Sequence, residues 1–361
     1  MKNNLYYKFF FLFSFLILNL NVNANEKFNF DITEIEILEN GNIYKGLKRG
    51  KVTTDSGIII DSDNFEYNKS TNILNAKGNV VVEDTLQNYK IFADNITYFK
   101  NEEKIFTKGN SKAIDNNGQI IIADNFKYYK LSNIFISKKN VIIDDTLQDY
   151  KIFADDVTYF KKEEKIFANG NISAKIESKY NIKTRDAIFL RNEQKLSSQN
   201  KTIIRDTNNR SYHLDKFVYF LNTTELRGEN VLIITNEGLP KSDKFYFSNA
   251  IINLKKKEFL AKDTTIKIHK DVFDESENDP RIKGVSSKGQ ENITKIKKGI
   301  FTSCKEKDGC PPWSVSAAEI THDKIKRQLT YDNAVLKVYN LPIFYFPKFF
   351  HPDPTVKRQS G

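Results

Sequence analysis

Apolar and polar positions alternate with a period of two through most of the sequence, the pattern of strands with one dry and one wet face. Phe65 and Tyr67, Ile96 and Tyr98, Phe126 and Tyr128, Val157 and Tyr159, Phe217 and Tyr219, and Phe245 and Phe247 each lie two apart. Glu66, Thr97, Lys127 and Thr158 separate the first four pairs, so each pair projects to one face and its divider to the other. The stretch that follows alternates too. Leu74, Ala76, Gly78, Val80 and Val82 share a face, Ile105, Thr107, Gly109, Ser111 and Ala113 keep that register, and Phe135 and Ile166 take the place of Leu74 and Ile105 in the next copies. Turns such as NKSTN, KNEEK and KKEEK join the strands.

The pattern is written repeatedly. From Asp84 to Asn110 and from Asp145 to Asn171, 21 of 27 positions are identical at an offset of 61 residues, which marks a duplicated unit. That unit divides again. An Asp-x-apolar-x-aromatic motif begins at Asp63, Asp94, Asp124 and Asp155, with weaker copies at Asp186, Asp215 and Asp243, at spacings of 28–31 residues. Asp-Asn and Asp-Asp are read as turn formers that precede each strand. Strand pairs with one apolar face are marginal alone, so neighbouring units must stack. The expected architecture is all-β, an elongated, twisted, repeat-built structure. Its apolar stripe fits either a dry core or an open groove for lipid chains, and small residues at Ala76, Gly78, Gly109, Ala168 and Gly170 suit both. Periodicity does not choose between them.

Composition narrows the class. The chain has 361 residues with 28 Phe and 17 Tyr against one Met and one Trp, which favours extended chain over helix. Lys2 and Lys8, the apolar run from Phe9 to Leu20 and Val22-Asn23-Ala24 read as a signal peptide over residues 1–24. The run is too short for a membrane-spanning helix, and an exported product follows. The net charge is +10 and the pI about 9.1, but lysines scattered along alternating strands read as a solvated face, and export argues against nucleic acid.

No catalytic site emerges. His213, His269, His322 and His351 are dispersed, and no phosphate loop or nucleophile elbow occurs. The recurring aspartates raise a polysaccharide-cleaving β-helix as a rival, yet catalytic carboxylates come as one pair around one bond. A residue repeated in every unit reads as structural. Cys304 and Cys310 are close enough for a local disulfide, which the chain-entropy estimate values at only roughly 2 kcal/mol; with His322 distant, they do not make a metal site. No cofactor is expected.

Residues 25–270 are read as the repeats, 271–299 as a charged, turn-rich end of the array, and 300–361 as a segment of another kind. The last combines both cysteines, the only Trp and six of the eight prolines with an aromatic run, Phe344, Tyr345, Phe346, Phe349 and Phe350. That run fits an edge closure or a membrane-interface girdle. The order FTSC at Cys304, Trp313, AAEITHD from Ala317, NLPIFYFPKF and KRQSG resembles the junction segment of the LptD family of lipopolysaccharide-assembly outer-membrane proteins, and the repeats resemble that family's OstA-like periplasmic domain, shared with the bridge protein LptA.

The resemblance implies an open β-jelly roll whose apolar groove holds lipopolysaccharide acyl chains. It also implies edge-to-edge strand pairing with an LptA-like bridge protein, a periplasmic location, and attachment to the outer membrane by a β-barrel that works with an LptE-like lipoprotein. The sequence stops at Gly361, where the barrel would begin, so a fragment is expected and LptE only where a barrel exists. In the family the cysteine matching Cys304 pairs with one near the end of the barrel. The groove-lining set that follows is Phe65, Tyr67, Leu74, Ile96, Tyr98, Ile105, Phe126, Tyr128, Phe135, Val157, Tyr159, Ile166, Phe217, Tyr219, Phe245 and Phe247. A free-standing LptA-like bridge protein and a structural or adhesive β-solenoid with a dry core are the alternatives.

Overall fold

The computed structural model describes residues 28–147, 149–239, 241–269, 278–306, 311–353 and 356; the signal-peptide reading and Cys310 lie outside them. Among the described residues the chain is all-β, with 28 strands in one antiparallel sheet and three single-turn 3-10 segments. Alternation dictates burial as expected: in the strand Ile58–Ser62 residues 58, 60 and 62 are buried and the two between are not.

The sheet bends along its whole length into two wings. Long strands such as Ile73–Asp84, Tyr89–Phe99, Ile134–Asp145 and Tyr150–Phe160 cross the bend. One half of each pairs within the first wing (80–84 with 89–93) and the other half within the second (73–77 with 95–99). Shorter strands supply the same two halves separately: Ser111–Asp115 joins the first wing and Lys104–Lys108 the second. The turns predicted at 100–104 and 161–165 are there, as 3-10 turns over Lys100–Glu102 and Lys161–Glu163 closed by left-handed Glu103 and Glu164.

The aspartates have a different place from the one expected. Asp94 and Asp155 lie inside continuous strands, at the bend, and the chain does not reverse there. Against the single residue Asp94 the partner strand sets two, Gly78 and Asn79, between Lys77 and Val80, one more than the register needs. This bulge shifts the facing pattern of the Asp94 strand by one, so that Tyr89, Ile91 and Ala93 and then Ile96 and Tyr98 all point inward. The carboxylates are held by an asparagine 15 or 16 residues further along the chain, half a unit away. Asn Nδ2 donates to the Asp carboxylate in Asp63–Asn79 (2.8 Å), Asp94–Asn110 (2.9 Å), Asp124–Asn140 (3.2 Å), Asp155–Asn171 (3.2 Å) and Asp215–Asn230 (2.8 Å).

A ladder of side-chain bonds therefore follows the bend. Gly78, Gly109 and Gly170 sit half-buried on that bend rather than facing the interior, with φ near +80°. A Cβ on Gly109 would stand 2.4 Å from Asp94 Oδ2. Gly109→Val is accordingly expected to lower stability by about 1–3 kcal/mol from backbone strain and the displaced carboxylate, read as a shift of the urea midpoint.

Two further expectations are corrected. The seventh copy is out of phase: Asp243 lies at the outer margin, buried, and Phe245 and Phe247 face inward from the first wing, whereas Phe65 and Tyr67 do so from the second. The turn-rich end expected over 271–299 contains two ten-residue strands, Arg281–Gln290 and Ile293–Thr302, that continue both wings. Their Gly, Ser and Lys content hides the alternation, because Ser287 and Gly289 fill inward positions. Residues 313–352 add three more long strands, ending in Leu341–Pro352.

Candidate binding interior

All sixteen predicted groove residues are buried, none more than 8% exposed, in one continuous core. Strand pairing arranges the second wing's contribution in two rows. The outer row runs through direct cross-strand partners: Tyr67, Leu74, Tyr98, Ile105, Tyr128, Phe135, Tyr159, Ile166 and, beyond Phe189 and Leu196, Tyr219. The inner row, along the bend, mixes large with small residues: Phe65, Ala76, Ile96 and Thr107, then Phe126, Ser137, Val157 and Ala168, then Phe217. Small neighbours let the wings approach at the bend; bulky ones fill the space where they diverge.

The wings touch. Tyr89 of the first wing meets Phe135 of the second with ring centroids 4.9 Å apart, Tyr150 meets Phe189 at 5.4 Å and Phe28 meets Tyr67 at 4.7 Å, edge-to-face contacts that add to the burial energy. Within the second wing Tyr128 stacks on Phe135 at 4.4 Å. Around Ile143, Ile152, Ile166, Ala168 and Phe189 the hollow between the wings is about 20 Å³, too little for a lipid chain. Larger hollows, about 350 and 590 Å³, are lined largely by bend residues and outward side chains such as Lys216, Arg227 and Lys262 in one and Asp155 and Asn171 in the other.

Opposite the bend the tips of the wings meet, and there the structure brings together residues the periodicity argument passed over. Lys130, at a tip of the second wing, donates to Asp84 at a tip of the first (3.0 Å), and Tyr128 Oη donates to the same carboxylate (2.8 Å). Asn133 Nδ2 donates to Gln87 Oε1 at 2.8 Å. Lys100 donates to Ser56 (3.1 Å) and to Glu103 (2.6 Å), and Tyr98 Oη donates to Glu103 (2.8 Å). Arg191 bonds Glu164 and the Tyr159 hydroxyl at 2.8 Å and lies 3.6 Å from Asp145 across the margin. Lys161 places its ammonium 3.9 Å from the centre of the Tyr89 ring.

Lys100, Lys130, Lys161 and Arg191 follow one another at 30- or 31-residue intervals, each two residues after an interior aromatic of the outer row: YFK, YYK, YFK and FLR. That basic position two residues after each outer-row aromatic recurs visibly in the sequence, whereas its partners across the margin do not. Further along, Asp243 closes the margin with Lys324 (2.8 Å) and His269 (2.8 Å). Burial opposes its ionisation, but those two partners outweigh it and hold the carboxyl well below its usual range. Burial pushes the phenols of Tyr98, Tyr128 and Tyr159 far above their usual value, so they act as neutral donors.

Among the described residues no three metal-ligating side chains converge, and Cys304 forms no disulfide. His322 bonds the buried Asp353 at 3.0 Å. What the interior offers is a long apolar seam, hinged along one side by backbone and closed along the other by ion pairs and hydrogen bonds.

No family model matches the chain. Part of it is similar to the LPS-assembly protein LptD of Yersinia enterocolitica serotype O:8 / biotype 1B, 36% identical over 74 residues, and to LptD of Yersinia pestis bv. Antiqua, 38% identical over 72. LptD of Salmonella paratyphi A is 36% identical over 77 residues. These matches cover 20–21% of this chain and 9% of each relative, so the chain spans under a tenth of the length of the curated relatives it matches.

Proposed function

We propose that this chain is the periplasmic part of an LptD-like protein, and that it binds the acyl chains of lipopolysaccharide between its wings and passes them toward the outer membrane. The observation that carries the reading is the unbroken outer row from Tyr67 to Tyr219, held at one depth by direct strand pairing. Similarity to LptD over a fifth of the chain supports it. Each buried methylene is worth about 0.8 kcal/mol, so a 12-carbon chain gains on the order of 10 kcal/mol in such a seam. Near-identical units give sites of similar depth, which lets a lipid advance without a deep trap. As the wings part, a lipid chain takes the place of the opposite wing, so apolar area stays dry in both states.

An LptA-like bridge protein would add by strand pairing to the end formed by Phe28–Ile32 and Ile35–Leu38, each hydrogen-bonded among the described residues to a strand on one side. The other end, Leu341–Pro352, pairs on one side with Gln328–Val338 and exposes Ile343, Phe344, Tyr345 and Phe350; a β-barrel with its LptE-like lipoprotein would continue from there.

A second reading, a structural or adhesive β-solenoid, is favoured by the ring contacts between the wings and the narrow hollow around Ile143, Ile166 and Phe189. Benzoylphenylalanine at Phe126, Val157 or Phe217 separates the two. The conduit is expected to yield ultraviolet adducts with lipopolysaccharide from these inward positions and none from Lys127; adducts only from Lys127 would sink it.

A further inference from the structure

We propose that the margin opposite the bend is the door through which an amphiphile loads sideways, and that Lys100, Lys130, Lys161 and Arg191 are the subsites for its anionic headgroup. The inference rests on the conduit reading and adds to it where the ligand enters and which charges meet it.

Topology supplies the first argument. Along the bend the backbone itself joins the wings, since strands such as Tyr89–Phe99 and Tyr150–Phe160 run across it, and the Asp–Asn bonds reinforce it. Nothing can pass there without breaking strands. Along the opposite margin, among the described residues, side chains alone join the wings: Lys130 to Asp84, Asn133 to Gln87, Lys100 to Ser56, Arg191 to Asp145 and Lys161 to the Tyr89 ring.

Charge supplies the second. As the wings part, Lys130 leaves Asp84 and Arg191 leaves Asp145, while Lys100 keeps Glu103 on its own wing and loses only the Ser56 hydroxyl; a phosphate oxygen offers each of them a charge-assisted bond in exchange. Lys161 is already short of one. Among the described residues its ammonium meets the face of Tyr89 and no carboxylate within salt-bridge distance, and burial depresses its pKa.

The rim beside the clasps is apolar. Leu86 and Leu147 on the first wing's tips, and Leu131 and Ile325 on the second's, are 67–78% exposed beside the clasps. Apolar side chains flanking a row of cations fit a ligand with acyl chains and phosphates, and suit neither a free phosphate nor a neutral lipid.

The test uses dodecyl phosphate and dodecyl maltoside, both below their micellar concentrations, on the full mature chain. Lys161→Met keeps an apolar stem over Tyr89. It is expected to weaken dodecyl phosphate binding about tenfold, the worth of one charged hydrogen bond, and to leave dodecyl maltoside unchanged. In a second arm Gln87→Cys and Asn133→Cys, in a chain carrying Cys304→Ser and Cys310→Ser, are tethered across the margin with a cleavable bis-thiol reagent. Tethering is expected to abolish binding of both amphiphiles, and reduction to restore it.

Equal effects on the two amphiphiles in Lys161→Met, or undiminished binding by the tethered protein, would overturn the side door; the latter, with adducts still forming at Phe126, would leave the conduit loaded from its ends. No binding of either amphiphile to the unmodified chain, with no adducts at Phe126, would overturn the conduit and the door together.

Discussion

Lys130→Met is expected to cost about 3–5 kcal/mol, because it leaves the carboxylate of Asp84, 2% exposed, without its cation. The side chain that replaces it is of similar length, so packing at the tip changes little. Asp84 keeps the Tyr128 hydroxyl and the N–H groups of Leu86 and Gln87, which hold the turn but supply no net charge. Adding Asp84→Asn should then recover most of the loss, since a buried pair replaced by two neutral groups is often near neutral. Stacked units unfold locally, so the measurement is hydrogen exchange of residues 80–92 and 125–138 beside the global urea midpoint. A single-variant loss below about 1 kcal/mol would mean that this clasp already spends much of its time open.

Phe126→Ala is the second large effect, about 3–5 kcal/mol for an aromatic ring removed from a filled interior. Phe126 is 1% exposed and packs edge-on to Phe135 at 6.5 Å. A full loss identifies a resting state with the wings closed. A protein whose wings stand apart in solution would lose only a fraction of this, because the ring would face water before and after. Dodecyl phosphate at saturating concentration should reduce the penalty if acyl chains fill the space the ring vacates, and thermal melts with and without it read that difference.

Strand identity and facing were legible wherever apolar residues fell two apart, as at Ile96 and Tyr98, because burial on a pleated sheet has no other period. The bend was not legible. Asp94-Asn95 carries turn chemistry, yet the same preference for left-handed and irregular backbone serves a bulge, and only the extra residue at Gly78-Asn79 on the partner strand tells the two apart. Asp243 repeats the motif but sits at the opposite margin, because it immediately precedes the strand Lys244–Asn253, which crosses the bend between Tyr246 and Asn249.

The interior rows followed from alternation, but the clasps did not. Lys100 and Lys130 share a sequence with many solvated lysines, and what distinguishes them is a partner 44 or 46 residues away. Pairwise contacts of that range depend on how two wings fold over each other, which a period of 30 residues does not encode.

The bend also makes the molecule a ruler. Each unit of about 30 residues lays two strands into each wing, and strands stand about 4.8 Å apart, so every added unit lengthens the seam by roughly 10 Å. Because each Asp–Asn bond spans 16 residues and closes within its own unit, a duplication of 61 residues inserts without changing the register on either side. Reach across a gap of fixed width is then adjusted in whole steps, by copying, with the cross-section left as it was.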